Sequence, residues 1–229
     1  MKLLLAVPLL VVLVAVWTWH DGRWRVPDRH NPWAPLRLAD PPNWLTRHKL
    51  RRLAGDLAAC RAVLDEAGWQ MQPLPDRQEG EGCGWTDALR VDRMQVRVGR
   101  PFTLSCPAAV SLALWERHTL GPAAAALGSD AAAIEHFGSY ACRKVYGRSE
   151  GRLSRHARAE ALDISGIVLS DGRRIRVAAH WRGDDARARF LRQLHRGACA
   201  SFDTVLGPDY NAAHADHLHL DLGGGRVCR

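Results

Sequence analysis

Lysine is almost missing from this chain of 229 residues: of 32 Lys+Arg, only Lys2, Lys49 and Lys144 are lysine. Tyr (3), Phe (4) and Met (3) are scarce as well, and aromatics make up 7%. The cations are therefore scattered arginines without interleaved stacking rings. That argues against a nucleic-acid or phospholipid binder despite a formal net charge of +8. The charge still favours residence near an anionic polymer. Gly (20) and Pro (12) are close to average, which excludes collagen-like and low-complexity chains. No internal repeat is visible, and no C-x-x-C pair occurs among the six cysteines. No G-x-S-x-G elbow marks Ser139 or Ser154 as a hydrolase nucleophile.

What is present begins with one uncharged run, residues 3–19, preceded only by Met1 and Lys2. As a helix it would span about 25 Å, at the lower limit for a bilayer core. It lacks an A-x-A cleavage site, and Trp17 and Trp19 fit a membrane interface. An uncleaved membrane anchor is therefore expected in preference to a signal peptide. Arg23, Arg25 and Arg29 would hold the following side in the cytoplasm. The six dispersed cysteines, at 60, 83, 106, 142, 199 and 228, point the other way. Without metal spacing they read as disulfides in an oxidising compartment, buried free thiols being the alternative. The disulfide reading is preferred: a single-pass inner-membrane protein with its body in the periplasm or extracytoplasmic space. Pairing between neighbours is expected (60–83, 106–142, 199–228).

Residues 20–45 hold five prolines and no apolar periodicity, and read as a Pro/Trp-rich linker. Residues 46–229 read as one domain. Leu50, Leu53, Leu57, Cys60 and Leu64 recur at helical spacing from Thr46 to Gly68. A loop over 73–85, a strand over 91–98, a helix over 105–118, a short helix over 122–127 and a strand over 134–140 should follow. Strands over 161–169 and 173–179 are joined by Asp171-Gly172, a hairpin signal. A helix over 184–197, a loop over 202–211 and a strand over 217–222 complete the order. The predicted class is α+β: N-terminal helices packed on a small, mostly antiparallel sheet carrying a metal site, preceded by one N-terminal transmembrane helix.

The last strand carries the chemistry. In His217-Leu218-His219-Leu220-Asp221-Leu222 the alternation of a strand puts His217, His219 and Asp221 on one face and three leucines on the other. His214 and Asp216 lie just ahead. Upstream, His156 is followed by Asp163, a spacing that fits a His on a loop and an Asp on the next strand. His and carboxylate donors from two adjacent strands describe a catalytic zinc site with one open position; a structural zinc is more often closed by four ligands. Zinc lowers the pKa of its water toward ~7.

From about Cys60 onward the chain resembles the bacterial extensin-like C-terminal domain family. The matching stretches are Gly82-Cys83-Gly84, Gly138-Ser139-Tyr140-Ala141-Cys142-Arg143, and Ser154-x-His156 through Asp163-Ile164-x-Gly166. Further on come the Val205 to Asn211 run, His214-x-Asp216-His217-Leu218-His219-Leu220-Asp221-Leu222 and Cys228-Arg229. That family is in turn similar to zinc D-Ala-D-Ala carboxypeptidases, lysostaphin-type endopeptidases and hedgehog-type domains. The resemblance implies His156, Asp163 and His219 as zinc ligands, and His217 as the group contacting the water or oxyanion, with Asp216 the alternative base. Arg143 would bind a substrate carboxylate. It implies a metallopeptidase acting on peptidoglycan peptides, or else a non-catalytic zinc-stabilised binding module of the cell envelope. The expected partners are those peptides, and the membrane through the N-terminal helix, with no nucleic acid and no obligate protein partner. The family name carries no function, since plant extensins are Pro-rich and this chain has only 12 Pro.

Overall fold

The computed structural model describes residues 7–11, 13–14, 17, 21, 26–223 and 225–229. The chain divides into two compact units, residues 1–35 and 36–229. In the first, residues 7–11, 13–14 and 17 are helical, and the rest of the run 3–19 lies outside the described residues. Among the described residues no helix is long and apolar enough to cross a membrane, which overturns the expected transmembrane helix. A span needs about 20 apolar residues. The run offers fewer and contains Pro8, which cannot donate to a helical ladder.

The second unit begins inside the stretch read as linker, at Leu36, and Leu36, Leu38 and Leu45 are buried in its core. The helical periodicity that follows is divided in two, α1 (Thr46–Arg52) and α2 (Leu57–Asp65). Gly55 turns the chain between them in the left-handed region, at φ 81°. Asp56 then caps α2, its carboxylate accepting from the Ala59 N–H at 2.9 Å.

Six short strands come next: β1 (Gln70–Pro73), β2 (Arg77–Glu79), β3 (Cys83–Trp85), β4 (Ala88–Arg93), β5 (Arg97–Val98) and β6 (Phe102–Ser105). The segment expected as loop thus contains the β2–β3 hairpin. Helix α3 (Cys106–Trp115) is apolar all round and buried all round, as a helix with no polar face must be. Its Ser111 hydroxyl donates to the Pro107 carbonyl (3.1 Å), and the Trp115 indole donates to the Leu194 carbonyl (3.0 Å). A π turn, Glu116–Leu120, links α3 to α4 (Gly121–Ala126). Buried Glu116 accepts there from the Trp69 indole (2.7 Å) and the Val96 N–H (3.0 Å).

The rest of the chain forms β7 (Ala131–Gly138), β8 (Ala161–Leu169), β9 (Arg174–Arg176), α5 (Val177–His180) and α6 (Ala186–Ala198), then β10 (Thr204–Leu206), β11 (Leu218–Asp221) and β12 (Val227–Cys228). Among the described residues three sheets replace the single small one expected: β1-β4-β6, β2-β3, and a large sheet ordered β12-β10-β11-β8-β7-β5, with β9 also on β8. Most pairs are antiparallel, but β5–β7 and β10–β12 are parallel. The architecture is mixed α/β with several sheets. The long strand β8, rich in β-branched residues, is the hub, pairing with β7, β9 and β11. The Asp171-Gly172 hairpin forms, with Gly172 at φ 87°, but its second strand, expected over 173–179, ends at Arg176 where helix α5 begins.

Three disulfides form: Cys60–Cys106, Cys83–Cys142 and Cys199–Cys228. The third is the expected pair; the other two cross between elements distant in sequence, because α2 packs on the start of α3 and β3 lies beside the chain leaving β7.

Gly197 sits where α6 crosses the π turn, and a Cβ there would stand 2.3 Å from the Thr119 side chain. Gly197→Ala should therefore destabilise the fold by about 1–3 kcal/mol by overpacking, against the usual gain of Ala in a helix. Urea unfolding of the two proteins measures the difference, and an unchanged or raised midpoint would refute the crowding.

Candidate metal centre

Three strands and one short turn assemble the site. The antiparallel register of β8 and β11 sets Asp163 directly opposite His219, and Gly138 at the end of β7 faces Asp163 from the other side. His156 stands on a 3-10 turn, Arg155–Arg158, capped by the Ser154 hydroxyl. Ala159 ends that turn at φ 53°, a costly conformation for a residue with a Cβ. Its carbonyl accepts from the Ser105 N–H at 2.7 Å, so the reversal is tied to the end of β6.

His156 Nε2 lies 3.2 Å from Asp163 Oδ1 and 3.2 Å from His219 Nδ1, and His219 Nδ1 lies 2.8 Å from Asp163 Oδ1. The outer ring nitrogens have their own partners. His156 Nδ1 donates to the Ser139 carbonyl at 3.0 Å, since a carbonyl can only accept, and His219 Nε2 donates to Asp221 Oδ2 at 2.9 Å. Each imidazole thus turns its other nitrogen toward Asp163, and ligand atoms of His156, Asp163 and His219 all fall within 4.8 Å of one another. Acceptors so close repel unless a cation sits among them. Ligands bound at ~2.0–2.1 Å around a tetrahedral ion stand about 3.3 Å apart, near the separations found. Two imidazoles and one carboxylate fit zinc or a similar borderline divalent ion with one position open. Ser139 and Asp221 supply the outer hydrogen bonds that fix ring orientation at such sites.

Burial alone would raise the Asp163 pKa, but hydrogen bonds from His156 and His219 overcome it and hold the carboxyl well below the usual carboxylate range. Burial alone would depress His219; its hydrogen bonds to Asp163 and Asp221 reverse that and push the imidazole up to about 9. In the metal-free chain a proton on His219 is therefore the cation of the cluster.

The other expected residues separate into tiers. His217 Nε2 lies 3.6 Å from Asp163 Oδ1, while its Nδ1 lies 2.8 Å from Asp216 Oδ1. Asp216 itself is exposed, so it reaches the cluster through His217. Arg143 is exposed on the loop after β7, and its carbonyl accepts from the Ser154 N–H at 3.0 Å. Its charge is among those that depress His214, which puts the guanidinium within the field of the site.

Alternation already put Asp221 on the face of His217 and His219, with His214 just ahead, but the sequence assigned neither a role, and nothing local announces a carbonyl at Ser139. His214 is buried, its ring 5.2 Å from that of His217 and 5.8 Å from that of His219. Its Nδ1 lies 2.7 Å from Asn211 Oδ1. Burial first, then the charges of His219 and His217, bring its pKa down to about 4. Exposed Tyr146, Tyr210 and Phe137 rim these rings, the tyrosines edge-on to His214 and Phe137 edge-on to His217. A second His/Cys group, His195 with Cys199 and Cys228, offers no thiolate because both sulfurs are in a disulfide.

Asp221→Asn should weaken zinc binding about 10–100-fold, read by chelator competition, while the fold persists; equal affinity would show that the outer carboxylate is idle. Zinc uptake must displace the His219 proton, so apparent affinity should climb with pH up to about 9 and fall as pH drops below it. Calorimetry in buffers of different ionisation enthalpy reads the released proton, and a buffer-independent enthalpy would contradict it.

A family model described as extensin-like protein C-terminus matches residues 58–229. Neither the curated proteins nor the solved structures compared with the chain contain a match. With the model covering this much of its length, the chain belongs to the extensin-like C-terminal family.

Proposed function

We propose that this chain is a zinc-dependent hydrolase of peptide bonds in peptidoglycan, of D,D-carboxypeptidase or endopeptidase type, working in an oxidising compartment outside the cytoplasm. The observation that carries this reading is the convergence of His156 Nε2, Asp163 Oδ1 and His219 Nδ1 beside an imidazole, His217, that is itself backed by a carboxylate. The same ligand order supports kinship with the zinc D-Ala-D-Ala carboxypeptidases, lysostaphin-type endopeptidases and hedgehog-type domains. Three disulfides support the compartment, and the net charge of +8 supports residence near an anionic wall polymer.

His156, Asp163 and His219 would hold the ion. Zinc, when bound, supplies the Lewis acidity that makes water a nucleophile at neutral pH. Asp216 accepts the Nδ1–H of His217, which leaves a lone pair on Nε2 facing the cluster. That nitrogen takes a proton from the attacking water and returns it to the leaving amine. Arg143, exposed beside the site, pairs its planar fork with a substrate carboxylate.

One observation favours a second reading. His217 Nε2, 3.6 Å from Asp163 Oδ1, is near enough to act as a fourth ligand, and a closed shell is the mark of a structural site. The domain would then be a zinc-stabilised envelope-binding module without turnover.

His217→Ala discriminates between the two. On the hydrolase reading it lowers the cleavage of purified wall peptides about 10²–10⁴-fold and keeps one zinc per chain. Loss of zinc in the variant, with no turnover by the parent protein, would establish the binding module instead. Arg143→Ala should raise KM for substrates bearing a free carboxylate with kcat little changed; the reverse split would remove Arg143 from substrate binding.

A further inference from the structure

A cavity of about 790 Å³ opens in the second unit, and none of the metal-centre side chains lines it. Its wall includes Glu160, immediately ahead of β8, Leu222, immediately after β11, and Cys83 and Trp85 of β3. The volume lies within the range of small-molecule sites.

Charge in the cavity is balanced, with four arginines against four carboxylates in its lining. Several are already committed. Arg47 pairs with Asp203 at 3.6 Å, Glu160 with Arg155 at 2.9 Å, and Arg77 with Glu79. Among the described residues this leaves Arg51 and Arg158 without a carboxylate at ion-pair distance, facing a cavity that also presents Asp76 and Asp87. Asp87 is held at φ 49°, and its N–H donates to Asp76 Oδ1 at 3.1 Å.

An anionic ligand would meet Asp76 and Asp87, and a cationic one would meet Arg51 and Arg158. A ligand rich in hydroxyls and amides satisfies both signs, donating to the carboxylates and accepting from the guanidinium groups. Trp85 adds an aromatic surface: it is half-buried, with the Arg77 guanidinium 5.1 Å from its ring centroid and Tyr140 edge-on at 4.7 Å. A sugar ring, with its polar rim and apolar C–H face, matches this mixture.

We infer that the cavity is a saccharide site that holds the glycan of the polymer whose peptide is cut at the metal centre; the inference rests on that reading of the substrate. Short covalent paths connect the two sites. His156 and Arg158 share one 3-10 turn, and Glu160 stands three residues, about 10 Å of strand, from Asp163. The Cys83–Cys142 disulfide fastens the cavity wall to the loop that carries Arg143. A branched polymer can thus engage the cavity with its sugars and the metal centre with its peptide.

Calorimetric titration of the full chain with a peptide-free β-1,4-linked tetramer of N-acetylglucosamine tests the inference. The parent protein should bind saturably. Arg158→Ala and Asp87→Asn should each weaken binding about tenfold, the scale of one lost charge-assisted hydrogen bond, with zinc content unchanged. His219→Ala, which removes a metal ligand, should leave saccharide affinity as it was. Absence of saturable binding overturns the inference, and so does binding that is lost in His219→Ala but unaffected by both cavity variants. Saccharide binding by a protein that never hydrolyses wall peptides would uphold the cavity and overturn only the peptidase reading.

Discussion

Asp163 keeps its negative charge at a position only 8% exposed because two imidazoles stand within 2.8–3.2 Å of its carboxylate. A buried carboxylate without such partners would take up a proton or cost several kcal/mol. This one constraint explains much of the surrounding construction. The register of β8 with β11 must bring His219 opposite Asp163. The 3-10 turn must deliver His156 to the same point, and its left-handed exit at Ala159 is the conformational cost of doing so. The outer partners, the Ser139 carbonyl and the Asp221 carboxylate, then decide which nitrogen each ring turns inward.

The rest of the second unit makes that geometry rigid. α3, buried on every side, anchors α2 through Cys60–Cys106 and receives α6 through the hydrogen bond from Trp115 to Leu194. Cys83–Cys142 holds the loop leaving β7, where Tyr140 also donates to Glu79 at 2.7 Å. Cys199–Cys228 secures the chain beyond α6 to the edge strand β12. The cross-links close loops of 46, 59 and 29 residues and so restrict the unfolded chain.

Legibility from sequence followed the range of the interactions. The Asp171-Gly172 hairpin, strand β8, the amphipathic helix α6 and the alternating strand β11 were readable because their signals repeat every two to four residues. The β2–β3 hairpin escaped because Gly80, Gly82 and Gly84 mask its short strands. The single helix expected over 46–68 failed at Gly55 and Asp56, where a left-handed turn and an N-cap restart the chain. The apolar run at the N-terminus was read as a span on its hydrophobicity, its borderline length and its interfacial tryptophans, but no helix among the described residues is long and apolar enough to cross a membrane.

Within the site, residue chemistry made His156, Asp163, His217 and His219 visible from spacing and alternation; the structure gathers the first two with His219 and sets His217 3.6 Å from Asp163. Strand periodicity is a local property, and the sequence by itself determined it. Spacing could not decide between His217 and Asp216 as the group facing the cluster, because both precede the last ligand closely. Side-chain direction at the start of β11 decided it, turning His217 inward and leaving Asp216 behind it. Two of the three disulfide pairings, the Ser139 carbonyl as outer partner of His156 and the charge-balanced cavity were likewise settled only by tertiary structure. Each depends on which distant segments pack side by side, and no local pattern of residues encodes that.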